Sequence, residues 1–163
     1  MSLIRSIAAA AALLSAALAA RAGGFLCNSL PSVGSVGSGS AGAFGAPSLA
    51  GVGLPDITTT GAFSFEVSGG FPNAPGVLIL QRREQPIFST VFQTTIYTGA
   101  NGVMIPFVCD AGGHANLAPY PITHPIAELC GMDLIAQVTL FDFTGPGGAT
   151  WSNGLRFRFG AAP

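Results

Sequence analysis

An all-β fold is predicted for this chain: an antiparallel β-sandwich of about seven to eight short strands, preceded by a signal peptide and a Gly/Ser-rich arm. Three observations carry that prediction. Apolar and polar residues alternate with a period of two in several stretches, Gly, Pro and Asn clusters separate those stretches at short intervals, and no segment beyond the amino terminus has a helical period. The length of 163 residues suits one domain. Hydrophobic residues make up 49%, enough for a core, whereas only 8% are charged, against about 25% in an average soluble domain. Disorder goes with low hydrophobicity and high net charge, and this chain has neither.

The first element is a targeting segment. Arg5 supplies a basic start, Ile7 to Ala20 is an apolar run, and Ala20-Arg21-Ala22 gives a small-residue cleavage pattern, with Ala17-Leu18-Ala19 as the alternative. The run is shorter than the roughly 20 residues of a spanning helix. Residues 1–22 are therefore assigned to a signal peptide, and no membrane span is expected after its removal. Leu26 before Cys27 is too bulky for a lipoprotein site. Residues 23–45 follow as a Gly/Ser/Ala-rich flexible arm of linker composition, and 46–163 form the sandwich domain.

Within the domain, Pro47 to Val52 reads as a short edge strand. Phe63, Phe65 and Val67 alternate with Ser64, Glu66 and Ser68, the period of a half-buried strand. Gly69 to Asn73 is a turn. Val77-Leu78-Ile79-Leu80 is apolar throughout and suits a central strand. Ser89 to Thr98 has strand composition, and Asn101-Gly102 signals a hairpin into a strand over Val103–Val108, where Pro106 marks an edge or a bulge. Asp110 to Pro125 is the longest irregular stretch. Leu134, Ala136, Val138 and Leu140 alternate with Gln137, Thr139 and Asp142. Beyond the Gly145–Gly148 turn, Asn153-Gly154 suits a tight hairpin turn, and Leu155, Phe157 and Phe159 point opposite to Arg156 and Arg158.

Export permits disulfides. The mature chain has three cysteines, so at least one is left over from pairing within the chain. Cys109 and Cys130 flank the long loop and are assigned to each other, a closure worth roughly 3 kcal/mol in the chain-entropy model. Cys27 is left free, paired between chains, or paired with one of the other two.

Two stretches, Gly131-Met132-Asp133-Leu134-Ile135-Ala136-Gln137 leading into Phe141-Asp142-Phe143, and Ser152-Asn153-Gly154-Leu155 running to Gly160, stand beside Ile105-Pro106 and the opening through Gly45-Ala46-Pro47. Together they resemble a small Gly-rich β-sandwich domain abundant in secreted proteins of planctomycete-type bacteria, where it often forms the C-terminal module of larger extracellular proteins. The resemblance spans residues 37 to 160 and rests on turn and strand patterns. The chain departs from the pattern in its opening cysteine arrangement and in the Cys109–Cys130 loop. The resemblance implies an exported, all-β, accessory module and no particular activity.

Charge argues against nucleic acid. After residue 22, four arginines face seven acids, and a phosphate surface needs a basic cluster larger than Arg82-Arg83. His114 and His124, with Asp110 and Glu128, match no metal-ligand spacing, and no metal or cofactor is expected. Gly37-Ser38-Gly39 lacks the strand–turn–helix setting of a serine nucleophile. The carboxylate pairs Glu66 with Asp142 and Glu128 with Asp133 have nothing to single them out for glycosidase chemistry. The expectation is a non-enzymatic secreted or cell-surface module that binds other extracellular proteins or copies of itself. The alternative is a carbohydrate- or ligand-binding domain using the 110–130 loop, with Tyr120, Trp151, His114 and His124 as candidate contacts.

Overall fold

The computed structural model describes residues 27–58, 63–82, 84–118 and 127–161. The signal peptide assigned to residues 1–22 lies outside them. The strands are β1 (Ser32–Val36), β2 (Ser48–Gly53), β3 (Phe63–Ser68), β4 (Pro75–Gln81), β5 (Ile87–Ser89), β6 (Thr94–Ile96), β7 (Val103–Val108), β8 (Ala115–Leu117), β9 (Asp133–Phe141), β10 (Ala149–Trp151) and β11 (Gly154–Arg158). They outnumber the seven or eight expected because β5, β6, β8 and β10 have three residues each, too short for alternation to reveal.

The large sheet runs in the order β1-β11-β9-β4-β7, with β10 also paired to β9. A three-stranded sheet, β2-β3-β8, packs on one of its faces. Every strand pair is antiparallel. Alternation places the core as predicted. Phe63, Phe65 and Val67 of β3 meet Leu78 of β4, Ala136, Val138 and Leu140 of β9, and Leu155 and Phe157 of β11, all buried. Phe157 is the hub of an aromatic cluster, with ring centroids 5.2 Å from Phe63, 5.4 Å from Phe65 and 5.5 Å from Phe159. Offset and edge-on contacts of this kind add to what area burial alone contributes.

Part of the supposed free arm belongs to the sheet. Ser32–Val36 pairs in full with β11, and Ser40 exchanges backbone contacts with Trp151. Val33, the apolar residue of β1 that faces inward opposite Phe157, packs against the core. Linker composition misled here because an edge strand next to a well-filled core needs few large side chains of its own.

The covalent staple also differs from the one assigned. Cys27 is bonded to Cys130, with Cα atoms 5.6 Å apart, and Cys109 is a free, buried thiol. Cys109 lies at the end of β7, where its N–H donates to the Ala74 carbonyl at 2.9 Å and its side chain joins the core. Cys130 lies beside the carboxyl-terminal segment, where Ala161 donates to the Ser29 carbonyl at 2.9 Å and Gly131 to that of Phe159 at 2.9 Å. The amino-terminal segment is thereby carried to Cys130.

One strand prediction and two turn predictions change. The stretch Ser89–Thr98 is broken by a turn at 90–93, with Gln93 at φ 51°, so that β5 and β6 pair as a small hairpin. Asn101-Gly102 makes a turn rather than a hairpin, with Gly102 donating to Gly99 at 3.2 Å, because β6 and β7 lie in different sheets. Asn153-Gly154 is not a hairpin either. β10 pairs with Thr139–Phe141 and β11 with Asp133–Ala136, on the same side of β9. Ser152, Asn153 and Gly154 therefore oppose only Gln137 and Val138, leaving one extra residue: a β-bulge in an otherwise continuous strand.

Candidate functional site

The bulge organises the centre of the molecule. Ser152 N–H donates to the Val138 carbonyl and its Oγ accepts from Val138 N–H, both at 2.9 Å. The displaced Asn153 side chain reaches across to the other sheet, where its Oδ1 accepts from Leu49 N–H at 2.9 Å and its Nδ2 donates to the Leu49 carbonyl at 3.0 Å. A single amide thus satisfies both backbone groups of one β2 residue. Gln137, read from alternation as an outward polar residue, is fully buried. Its Oε1 accepts from Tyr97 N–H at 2.8 Å, and its Nε2 donates to the carbonyls of Thr95 and Ser152 at 3.1 and 3.0 Å. The covering layer is the β5–β6 hairpin, which lies on the second face of the large sheet. Gly154 is required beneath it, since a Cβ there would come within 2.9 Å of the Tyr97 ring.

The candidate ligand residues of the long loop are placed as follows. Tyr120 and His124 lie outside the described residues. His114 is exposed and ends a tight turn whose keystone is Asp110. The Asp110 Oδ1 accepts from the N–H groups of Gly112 and His114, each at 2.8 Å, and Asp110 N–H donates to the His114 carbonyl at 2.8 Å. These two backbone donors, Gly112 and His114, hold the Asp110 carboxyl below the ordinary aspartate value. The turn leads into β8, so the stretch is less irregular than its composition implied. A depression of about 540 Å³ beside it is lined by Glu66, Asp110 and His114 among others. Among the described residues, no three His, Cys, Asp or Glu side chains gather closely enough to hold a metal ion.

Trp151 is on the second face of the large sheet, only 8% exposed, with its ring 5.5 Å from that of Phe92. Its indole N–H has no hydrogen-bond partner among the described residues. The ring caps the hairpin layer rather than standing on the surface. Of the carboxylate pairs, Glu66 is exposed on β3, whereas Asp142 is buried after β9 and accepts from Thr144 N–H at 2.9 Å. Glu128 is exposed, and Asp133 is engaged by Arg158. Burial, with the Asp110 charge second, pushes the Cys109 thiol up, which suits an inert core thiol.

The second face of the large sheet has two uncovered ends of opposite character. Leu78, Ile105 and Val138 face the core, so their neighbours face outward, and register aligns Pro106 with Val77, Val77 with Thr139, and Pro75 with Val108. Met104, Val108 and Phe141 on this face are 53%, 64% and 55% exposed. Neither β4 nor β7 carries an ionisable residue, and β9 has one only at Asp133, its far end. At that far end, Arg82, Arg156 and Arg158 share a depression of about 300 Å³ with Glu84 and Asp133. Arg158 grips Asp133 through two hydrogen bonds of 2.7 Å. Arg156 holds Glu84 at 2.8 Å through Nε and 2.6 Å through Nη2. Sequence reading dismissed Arg82-Arg83 as an isolated pair because the register that brings β11 and the end of β4 to opposite sides of β9 is not written in local spacing.

No known family model matches the chain, and no curated protein sequence or solved structure is similar to it.

Proposed function

We propose that this chain is an exported, non-catalytic β-sandwich module that acts by binding other extracellular proteins or copies of itself. The observation that carries the reading is the apolar end of the large sheet's second face, where Met104, Pro106, Val108, Pro75 and Phe141 are exposed with no charge among them. Its exposed apolar area is on the order of 500 Å², at the upper end of the patches found on monomers and a frequent mark of interaction sites. The disulfide is a bond of oxidising compartments, and no helix among the described residues is long and apolar enough to cross a membrane. The disulfide supports export.

The face, rather than the edge, is the contact. Because Cys109 N–H donates to the Ala74 carbonyl, just before β4, alternation turns the backbone of Met104, Pro106 and Val108 away from β4. Pro106 therefore stands in the middle of the free edge without a donor, the usual device against strand addition. Sedimentation of the mature protein over a wide concentration range, alone and with the proteins it is secreted beside, tests the reading. Association is expected, and Phe141→Glu should abolish it without changing the unfolding midpoint. A protein that stays monomeric and unbound throughout, or association unchanged by both Phe141→Glu and Val108→Glu, overturns it.

A further inference from the structure

We infer that the arginine groove at the charged end of the large sheet binds an oxyanion carried on a polar, hydroxyl-rich body, such as the carboxylate of a uronic acid or the sulfate of a sulfated sugar. The chain is poor in charge, with six basic and seven acidic residues in all, yet five of these thirteen line a single depression. Adjacent strands put them there. Gln81 of β4 and Arg156 of β11 both pair with Ile135 of β9, Arg158 pairs with Asp133, and Arg82 directly follows Gln81.

The five charges are unequal. Three guanidinium groups face two carboxylates, leaving one net positive charge, and among the described residues Arg82 has no carboxylate partner. The carboxylates orient rather than quench. Asp133 occupies Nε and Nη2 of Arg158, and Glu84 the same two atoms of Arg156, so each guanidinium keeps Nη1 donors for a ligand. An exposed ion pair of this kind adds little to stability. A guanidinium already fixed by one carboxylate, however, loses less conformational freedom on engaging a second oxyanion. Asp133 is held below its ordinary range, mainly by its hydrogen bonds to Arg158, and Arg158 is raised in turn, so the arrangement keeps its charges at neutral pH.

A second depression of about 530 Å³ shares Arg82 and Asp133 with the first and continues past Gln85, Gly131 and Met132. Amide and backbone groups there suit hydroxyls rather than a second charge. An anionic group at the arginines with a polar ring running towards Gly131 fits both parts, and the Cys27–Cys130 bond anchors the chain directly beside that wall.

The test is titration of the mature, disulfide-intact protein with D-glucuronate and with glucose 6-sulfate, followed by NMR of backbone amides and arginine Nε–H groups at constant ionic strength. Glucose and sodium chloride serve as controls. Saturable shifts at Arg82, Arg156, Arg158 and Gly131–Asp133 are expected for at least one of the two anions, and the preferred anion identifies carboxylate or sulfate as the head group. Glucose should bind at least about tenfold more weakly, because charge-assisted, bidentate contacts are the strong ones. Arg82→Gln breaks no ion pair seen here, so it should leave the fold intact and weaken binding about tenfold, whereas Arg82→Lys should recover part of it. Shifts that rise linearly and equally with chloride, or equal affinity in the wild type and Arg82→Gln, would overturn the inference.

Discussion

Asn153 shows how much one side chain can decide. Its amide stands in for a neighbouring strand towards Leu49, joining the bulge of the large sheet to β2 of the small one. Asn153→Ala should cost about 2–3 kcal/mol, since it removes four side-chain hydrogen bonds, two of them to Leu49, and leaves part-buried backbone groups unpaired; urea unfolding measures this, and a change within error would show that water replaces the amide. Asp110 makes a pH-dependent prediction. Its folded value is lowered by the Gly112 and His114 N–H groups, so its hold on the turn is complete above the ordinary aspartate value and is lost as pH falls through the lowered one. The Gly112 and His114 amide resonances should titrate together, with a midpoint below that of an unfolded aspartate. Asp110→Asn should remove that titration, and a midpoint at or above the unfolded value would mean that the carboxylate does not hold the turn.

At the scale of the element, the bulge reverses the alternation between β10 and β11, so that Trp151 faces the hairpin layer and Leu155, four residues on, faces the core. Deleting Ser152 would take out the extra residue, so that Asn153 and Gly154 oppose Val138 and Gln137 while Leu155 stays opposite Ala136 and Phe157 stays in its aromatic cluster; what is lost is the link from Ser152 to Val138 and Gln137. The deletion variant should therefore still unfold cooperatively but at a lower denaturant concentration, whereas loss of cooperative unfolding would show that the bulge itself holds β11 in place. The strands legible in advance, at 47–52, 63–68, 77–80, 103–108, 134–143 and 155–159, are mostly those in which one face is filled by apolar residues or the whole run is apolar. The ones that escaped are set by partners distant in sequence. β1 is small and polar but lies against β11, the β5–β6 hairpin is fixed by Gln137 below it, and Asn-Gly at 153–154 serves a bulge instead of a hairpin because β9 continues past it. The candidate site was legible only in part for the same reason. The arginines are visible as residues, but their convergence depends on the order β4-β9-β11. Alternation points Gln137 outward and residue type makes Trp151 either a ligand contact or a core cap at a turn, and packing buries both.

For the whole molecule, the Cys27–Cys130 bond spans a sequence separation of 103 residues, for which loop closure in the unfolded chain is worth about 4.7 kcal/mol in the entropic account. Cys27→Ser should therefore lower stability by roughly 3–5 kcal/mol, read from denaturant unfolding of the variant against the oxidised wild type. Thiol counting should find one free group, Cys109, that reacts only on unfolding; two protected cysteines including Cys109 would contradict the pairing. The pairing of β1 with β11 has a consequence for how the protein is made. The strand at residues 32–36 is synthesised more than a hundred residues ahead of its ladder partner among the described residues, at 154–158. The large sheet cannot close until residues 154–158 have left the ribosome, so while the intervening segments are made β1 has no strand to pair with and the growing chain carries an unfinished sheet.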